Sequence, residues 1–315
     1  MNPLVEYGLL FFILMIVEII YFKIATHFNI IDKPNERSSH RVPTIRGGGI
    51  IFIIAVILFF LGNGFSYPYL LAAILVSGVI SFIDDIHTVN NRLKFGVHVL
   101  SVILIFKECG LLNTLPALYL IAIGIFAIGT INAYNFMDGI NGITGLYSLA
   151  VIAPLLLTET NEKLQTLELF SIMGLLVFNF FNTRKKARCF AGDVGSITLA
   201  ILIVFLLIMR IQQTNQFEYI GLLLVYGIDA VYTIVQRLYQ RENIFKPHRK
   251  HLYQYFSNEK KMPQIWVSMV YACIQLVISL AIVYGYVNYW WLLLILIFLS
   301  IIYWVLKLPL IKIST

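Results

Sequence analysis

At 315 residues, 59% hydrophobic and 12% charged, with a mean hydropathy of +0.84, the chain is too apolar for a water-soluble domain of this length. A formal net charge of +7 would suit nucleic acid, but the placement of the basic residues assigns it to membrane topology instead. Three widely spaced cysteines, Cys109, Cys189 and Cys273, form no ligand pattern and read as free apolar side chains.

Repeated apolar runs predict an all-α, polytopic membrane helix bundle, because a helix satisfies its own backbone hydrogen bonds in lipid. In chain order the runs cover roughly 4–24, 48–61, 69–83, 95–106, 116–131, 142–157, 167–182, 194–209, 219–236, 264–285 and 288–306. That is eleven segments, with ten as the alternative count, since several fall short of the ~20 residues a straight span prefers. The first lacks the basic flank of a secretory signal and is expected to be a retained span. With the N-terminus outside, residues 27–46, 84–94, 132–141, 183–193 and 237–263 and the tail face the cytoplasm. All 23 Lys and Arg then lie on that side or at its helix ends, except Lys107, Lys163 and Arg210, as the positive-inside rule requires. No soluble domain or internal repeat is evident, so residues 1–315 read as one membrane domain whose chemistry sits in the loops at a single end.

Four polar islands fall at that end. Asp84 and Asp85, in FIDDIHTVNNRLK, follow the third run directly. Adjacent helical side chains diverge by about 100°, so one carboxylate is expected to face a shared cleft, towards Mg²⁺ or a phosphate, with the other in support; a solvated helix end is the simpler alternative. In NAYNFMDGINGITG, Asn132, Asn135, Asp138 and Asn141 recur every three residues and would form one stripe if the fifth span continues as a helix. An inter-helix amide ladder is the alternative there. GDVGS opens the eighth span, so its backbone N–H groups are expected to bind an anion, with Asp193 holding a cation that bridges to phosphate; taken alone, Asp193 is equally an ordinary N-cap. In HRKHLY, His248, Arg249 and His251 lack the further ligands of a zinc site and suit a pyrophosphate clamp. Asp229, within the ninth span, is an intramembrane carboxylate and a functional candidate by default. Gly47-Gly48-Gly49 could be a phosphate nest or simply permit tight helix packing.

Taken in order, DKPNERSSHRVPTIRGGG, the Asp-Asp pair, NxxNxxDG, GDxGS, an Asp-bearing ninth span and the histidine loop resemble the polyprenyl-phosphate N-acetylhexosamine-1-phosphate transferase family of bacterial inner membranes. The resemblance implies ten or eleven helices around a cytoplasmic cleft. It also implies transfer of a sugar 1-phosphate from a UDP-amino-sugar donor to a polyprenyl phosphate acceptor, release of UMP, and a requirement for Mg²⁺, with Mn²⁺ as an alternative ion. By position, Asp84 resembles the carboxylate that activates the lipid phosphate, Asp85 its partner and Asp193 the principal Mg²⁺ ligand. Asp138 and Asn135 fall at active-site positions. Asn141, Asn182, Lys94, His248, Arg249 and His251 are grouped as substrate-binding, although Asn141 stands where the family pattern has an acid. The loop HRKHLYQ lacks the three-histidine run of the peptidoglycan branch (phospho-N-acetylmuramoyl-pentapeptide transferase). It therefore favours an enzyme that starts O-antigen, capsule or teichoic-acid-like glycans. Partners are the bilayer and the two substrates, not nucleic acid; a homodimer is compatible with the family. A transporter, the competing class, predicts polar residues at mid-membrane and paired interrupted helices.

Overall fold

The computed structural model describes residues 3–34, 42–243 and 248–311. Residues 35–41 of the first-loop pattern lie outside the described residues. The helices run α1 (Pro3–His27), α2 (Ile50–Gly62), α3 (Pro68–Ile86), α4 (Asn91–Glu108), the short α5 (Leu111–Thr114), α6 (Ala117–Met137) and α7 (Ile143–Ile152). They continue with α8 (Glu162–Asn182), α9 (Gly192–Thr214), α10 (Leu224–Tyr239), the single-turn α11 (Leu252–Gln254), α12 (Gln264–Val283) and α13 (Tyr289–Ile311). The all-α bundle is as the sequence predicts. Among the described residues, eight helices are long and apolar enough to cross a membrane. The other three expected spans are the 13-residue α2, the short segment Ile143–Leu157, and α4, whose ends carry Arg92, Lys94, Lys107 and Glu108.

The helix boundaries follow local chemistry. Asn90 and Asn161 cap α4 and α8, their side chains accepting from the N–H groups of Arg92 (2.9 Å) and Leu164 (2.8 Å). Pro68, Pro116 and Pro263 stand at helix starts, where a missing N–H costs nothing. At the centre is α9, with 83% of its most apolar stretch buried, against 17% for the peripheral α13. The bundle therefore wraps α9, and its first turn carries Asp193 into the middle of the basic end.

One feature the sequence did not suggest is a two-residue antiparallel ladder between β1 (Ile31–Asp32) and β2 (Thr44–Ile45), extended by a bridge from Ile45 to Cys189. Gly48 N–H donates to Phe190 O (2.8 Å) and Gly49 N–H to Ala191 O (3.1 Å), so the first loop and the 183–191 loop are stitched backbone to backbone. The triple glycine serves this close approach: the amides of Gly48 and Gly49 are spent on protein carbonyls, and a Cβ on Gly49 would overlap the Gly195 backbone.

Towards the opposite end, Arg210 and Glu168 form an ion pair at 2.6 Å with both side chains fully buried, and Arg210 also donates to Leu155 O (3.0 Å). Removing one partner strands a buried charge, so Arg210→Met is expected to destabilise the protein by about 3–5 kcal/mol, while Arg210→Met with Glu168→Leu restores most of it. Thermal unfolding in detergent checks this; equal losses in the single and double variants would contradict it.

Candidate active site

At the basic end, Asp84 and Asp85 diverge as adjacent helical residues must. The Asp85 side chain is fully buried and Asp193 is 21% exposed. Asp85 Oδ1 pairs with Arg46 Nε at 2.7 Å and accepts the N–H of Asp193 (3.0 Å); its Oδ2 accepts the N–H of Val194 (3.2 Å). The first amides of α9, expected to bind a substrate anion, are thus already occupied by the protein's own carboxylate. Asp85 caps α9 from another helix. Gly192, at φ +70°, sits against Asp85 Oδ2 where a side chain would not fit.

Asp84 turns the other way. Its Oδ1 accepts the N–H of Val89 (2.7 Å), its Oδ2 meets Lys94 Nζ (2.9 Å), and its carboxyl also contacts that of Asp193. Asp193 in turn contacts the Asn135 amide and lies 3.7 Å from Arg46 Nη2. Arg46 therefore bridges the two acids that flank the start of α9. Sequence reasoning passed over it as part of the first-loop pattern. The signal was available: three carboxylates brought together need a nearby cation, and Arg46 adjoins the glycines that permit the approach.

The expected Asn–Asp stripe is broken by a turn. Helix α6 ends at Met137, and Asp138 caps it with ψ 69°, outside helical geometry. Asn132 donates back to Ile128 O (2.8 Å) and Asn135 reaches Asp193. Asp138 accepts from Thr144 Oγ1 (2.7 Å), and burial, reinforced by nearby Asp193, raises its pKa to about 6. Past the turn, Asn141 points elsewhere: its side chain donates to Arg184 O (2.9 Å), while its backbone bonds Gln264 and Ser268. Asn182 is similarly spent, accepting from Gly142 N–H (2.6 Å) and donating to Cys189 O (2.8 Å). Both amides brace the loops around the acids rather than line an open cleft.

The histidine loop packs on the end of α6. Tyr253 OH donates to Phe136 O (3.0 Å), and the His248 and His251 rings lie 6.4 and 6.5 Å from the Phe136 ring. His251 is buried, with Nδ1 3.4 Å from Asp229 Oδ1. Burial, together with neighbouring His251 and the local cations, lowers the His248 pKa to about 3, so its ring is neutral at pH 7. Arg249 is exposed. The expected clamp of shared positive charge thus reduces to one neutral ring, one ring engaged by Asp229 and one exposed guanidinium. Beside this loop, an apolar cavity of about 640 Å³ lies between α6 and α10, lined by Asn132, Phe136, Tyr226 and Ile234 among others.

The family model described as glycosyl transferase family 4 matches residues 67–211, a stretch that includes Asp84, Asp85, Asp138 and Asp193. The match spans a little under half of the chain. A phosphosugar transferase and a multi-pass bacterial membrane protein, the chain is similar to an undecaprenyl-phosphate alpha-N-acetylglucosaminyl 1-phosphate transferase of Salmonella typhi. The two are 24% identical over 259 residues, covering 73% of this chain and 70% of that protein. A protein of the same name from Thermotoga maritima is 24% identical over 237 residues, covering 73% of each. A phospho-N-acetylmuramoyl-pentapeptide-transferase of Streptococcus thermophilus is 27% identical over 202 residues, covering 53% of this chain and 59% of the relative.

Proposed function

We propose that this transferase moves the 1-phosphate of an N-acetylated amino sugar from a UDP-sugar to undecaprenyl phosphate, releasing UMP and starting a cell-surface glycan. The observation that carries the reading is the meeting of Asp84, Asp193, Asn135 and Lys94 at one end of the bundle, next to an apolar cavity between α6 and α10. A polyprenyl phosphate needs such a place, with hydrocarbon beside the bilayer and polar groups at the head. The concentration of basic residues in the loops at that end supports a cytoplasmic site, where UDP-sugars are made.

Mg²⁺, or Mn²⁺ in its stead, is the proposed cofactor. Among the described residues no three His, Cys, Asp or Glu side chains form a closed metal cage. Mg²⁺ does not call for one, since it keeps several waters and takes one or two carboxylates plus substrate phosphates. Asp193, partly exposed and in contact with Asp84, fits that donor set, because two touching carboxylates need a cation or proton between them. The ion would offset the charge of the donor pyrophosphate and of departing UMP.

The chain's own residues account for the rest. Lys94, held by Asp84, is positioned to receive an oxygen of the acceptor phosphate. The acceptor monoester is already largely ionised at neutral pH, so Asp84 need not remove a proton; holding Lys94 and Asp193 is its principal task. An acceptor oxygen attacks the β-phosphorus, the bond to the UMP oxygen breaks, and one phosphoanhydride replaces another. Holding two anions adjacent supplies much of the acceleration. Asp85 and Arg46 act through α9 as positioning residues.

The donor is inferred from the loop HRKHLY and from the relatives. Those named for N-acetylglucosaminyl transfer cover 73% of the chain, against 53% for the pentapeptide transferase. The test is a donor panel: UDP-N-acetylglucosamine, UDP-N-acetylgalactosamine and UDP-N-acetylmuramoyl-pentapeptide, each incubated with undecaprenyl phosphate, with lipid products identified by mass. A pyrophosphate-linked amino sugar is expected. A muramoyl-pentapeptide product would move the enzyme to the peptidoglycan branch, and no UMP release from any donor would sink the reading.

A further inference from the structure

Asp229 is a buried polar side chain that the proposed chemistry leaves unused, and its surroundings assign it a task. It is buried in α10, yet five protein groups donate to it. Oδ1 accepts the N–H of Leu252 (2.9 Å) and the hydroxyls of Tyr303 (3.2 Å) and Thr233 (3.3 Å). Oδ2 accepts the hydroxyl of Tyr271 (2.8 Å) and the N–H of Tyr253 (3.4 Å). Two of these donors are the first amides after His251, so Asp229 holds the histidine loop by its backbone, while His251 Nδ1 approaches from the same loop.

A carboxylate this deep needs a counter-charge, and Lys307 of α13 supplies it. Lys307 is fully buried and its Nζ donates to Thr233 Oγ1 (2.8 Å) and to Tyr303 OH. An ammonium can only donate. Both hydroxyls must therefore accept from Lys307, which leaves their own protons to be shared between Asp229 and their mutual contact at 3.1 Å, with Lys250 O a further acceptor for Thr233 (3.5 Å). The network runs from Lys307 through the two hydroxyls to Asp229, then to the amides of Leu252 and Tyr253. Tyr253 OH completes the path by donating to Phe136 O (3.0 Å), two residues before Asp138.

We propose that Lys307, through Thr233, Tyr303 and Asp229, is a positioning residue that sets the histidine loop against the end of α6, making the peripheral α13 part of the donor-binding apparatus. This rests on the transferase reading, and the experiment separates the two. Hydrogen exchange of the intact protein in nanodiscs is followed in peptides covering Leu252 and Tyr253, alongside kcat and KM for the UDP-sugar. Lys307→Met is expected to speed exchange there by about tenfold or more, because the loop opens without global unfolding, and to raise KM more than it lowers kcat. Peptides at the start of α9 should be unchanged. The milder Thr233→Val, which keeps the shape, should act in the same direction, and it decides the question if Lys307→Met does not fold. Combining Lys307→Met with Asp229→Asn should add little to the Asp229→Asn effect, as groups acting in one network are non-additive. Unchanged exchange at Leu252 and Tyr253 in both single variants, or full additivity in the double, would overturn the proposal. An inactive wild type would instead overturn the transferase reading and leave the exchange result to stand on its own.

Discussion

Asp193→Asn is expected to lower UMP release by roughly 10³-fold with the fold intact, the scale of loss when one preorganised electrostatic group is removed from an active site. Two features of the structure make this a clean experiment. The start of α9 is capped through the backbone N–H groups of residues 193 and 194, not through the Asp193 side chain. Among the described residues, the carboxylate meets Asp84, Asn135 and, at 3.7 Å, Arg46. An amide of the same shape therefore removes the negative charge that faces the donor pyrophosphate and leaves the helix start in place. Unfolding temperature should stay close to wild type while turnover collapses. Asp85→Asn is the informative contrast. It strips charge from the cap and from the Arg46 pair, so thermal stability should fall along with activity. Near-normal turnover in Asp193→Asn would remove the central part of the proposed mechanism.

Gly49→Val is expected to damage folding and activity together. The α2 and α9 backbones approach so closely that a Cβ on Gly49 would meet the Gly195 Cα, the Gly195 nitrogen and the Ala191 carbonyl. These are backbone atoms and cannot rotate away. Overpacking of this kind costs typically 1–3 kcal/mol and sometimes more, here at about 3 kcal/mol or above because two main chains must separate. Relief by separation would also pull the Gly48–Phe190 and Gly49–Ala191 bonds and draw Arg46 from Asp85 and Asp193. Unfolding in detergent and UMP release should therefore fail together. A stable, active Gly49→Val protein would show that the crossing is not what aligns the first loop with the acids.

The fold was largely legible from the sequence because membrane helices announce themselves: uninterrupted apolar runs must be helical, and the basic loops mark one end. The convergence of Asp84, Asp138 and Asn135 around Asp193 was legible too, since the polar islands recur at that end. Orientation within the islands was not. Whether Asp84 or Asp85 faces the cleft depends on which meets the start of α9, a neighbour more than 100 residues away in sequence. The Asn–Asp stripe assumed that α6 continues, but Gly139 lies against Tyr253, where a side chain would not fit, and the chain turns at Asp138. Asn141 and Asn182 looked like ligand amides because sequence cannot show that backbone carbonyls already occupy them. Arg46 and Lys307 were missed for one reason: each is identified by the carboxylate it serves, and both partnerships form only in three dimensions.

The contact of Lys307 with Thr233 and Tyr303 bears on how the protein is made. Ribosome and translocon deliver α10 and its loop before α13, so a nascent chain holding everything through α12 still lacks the ammonium that balances Asp229. Maturation should accordingly be gated by delivery of α13, and a chain stalled or clipped before it would present an unshielded acid to the quality-control proteases of the membrane.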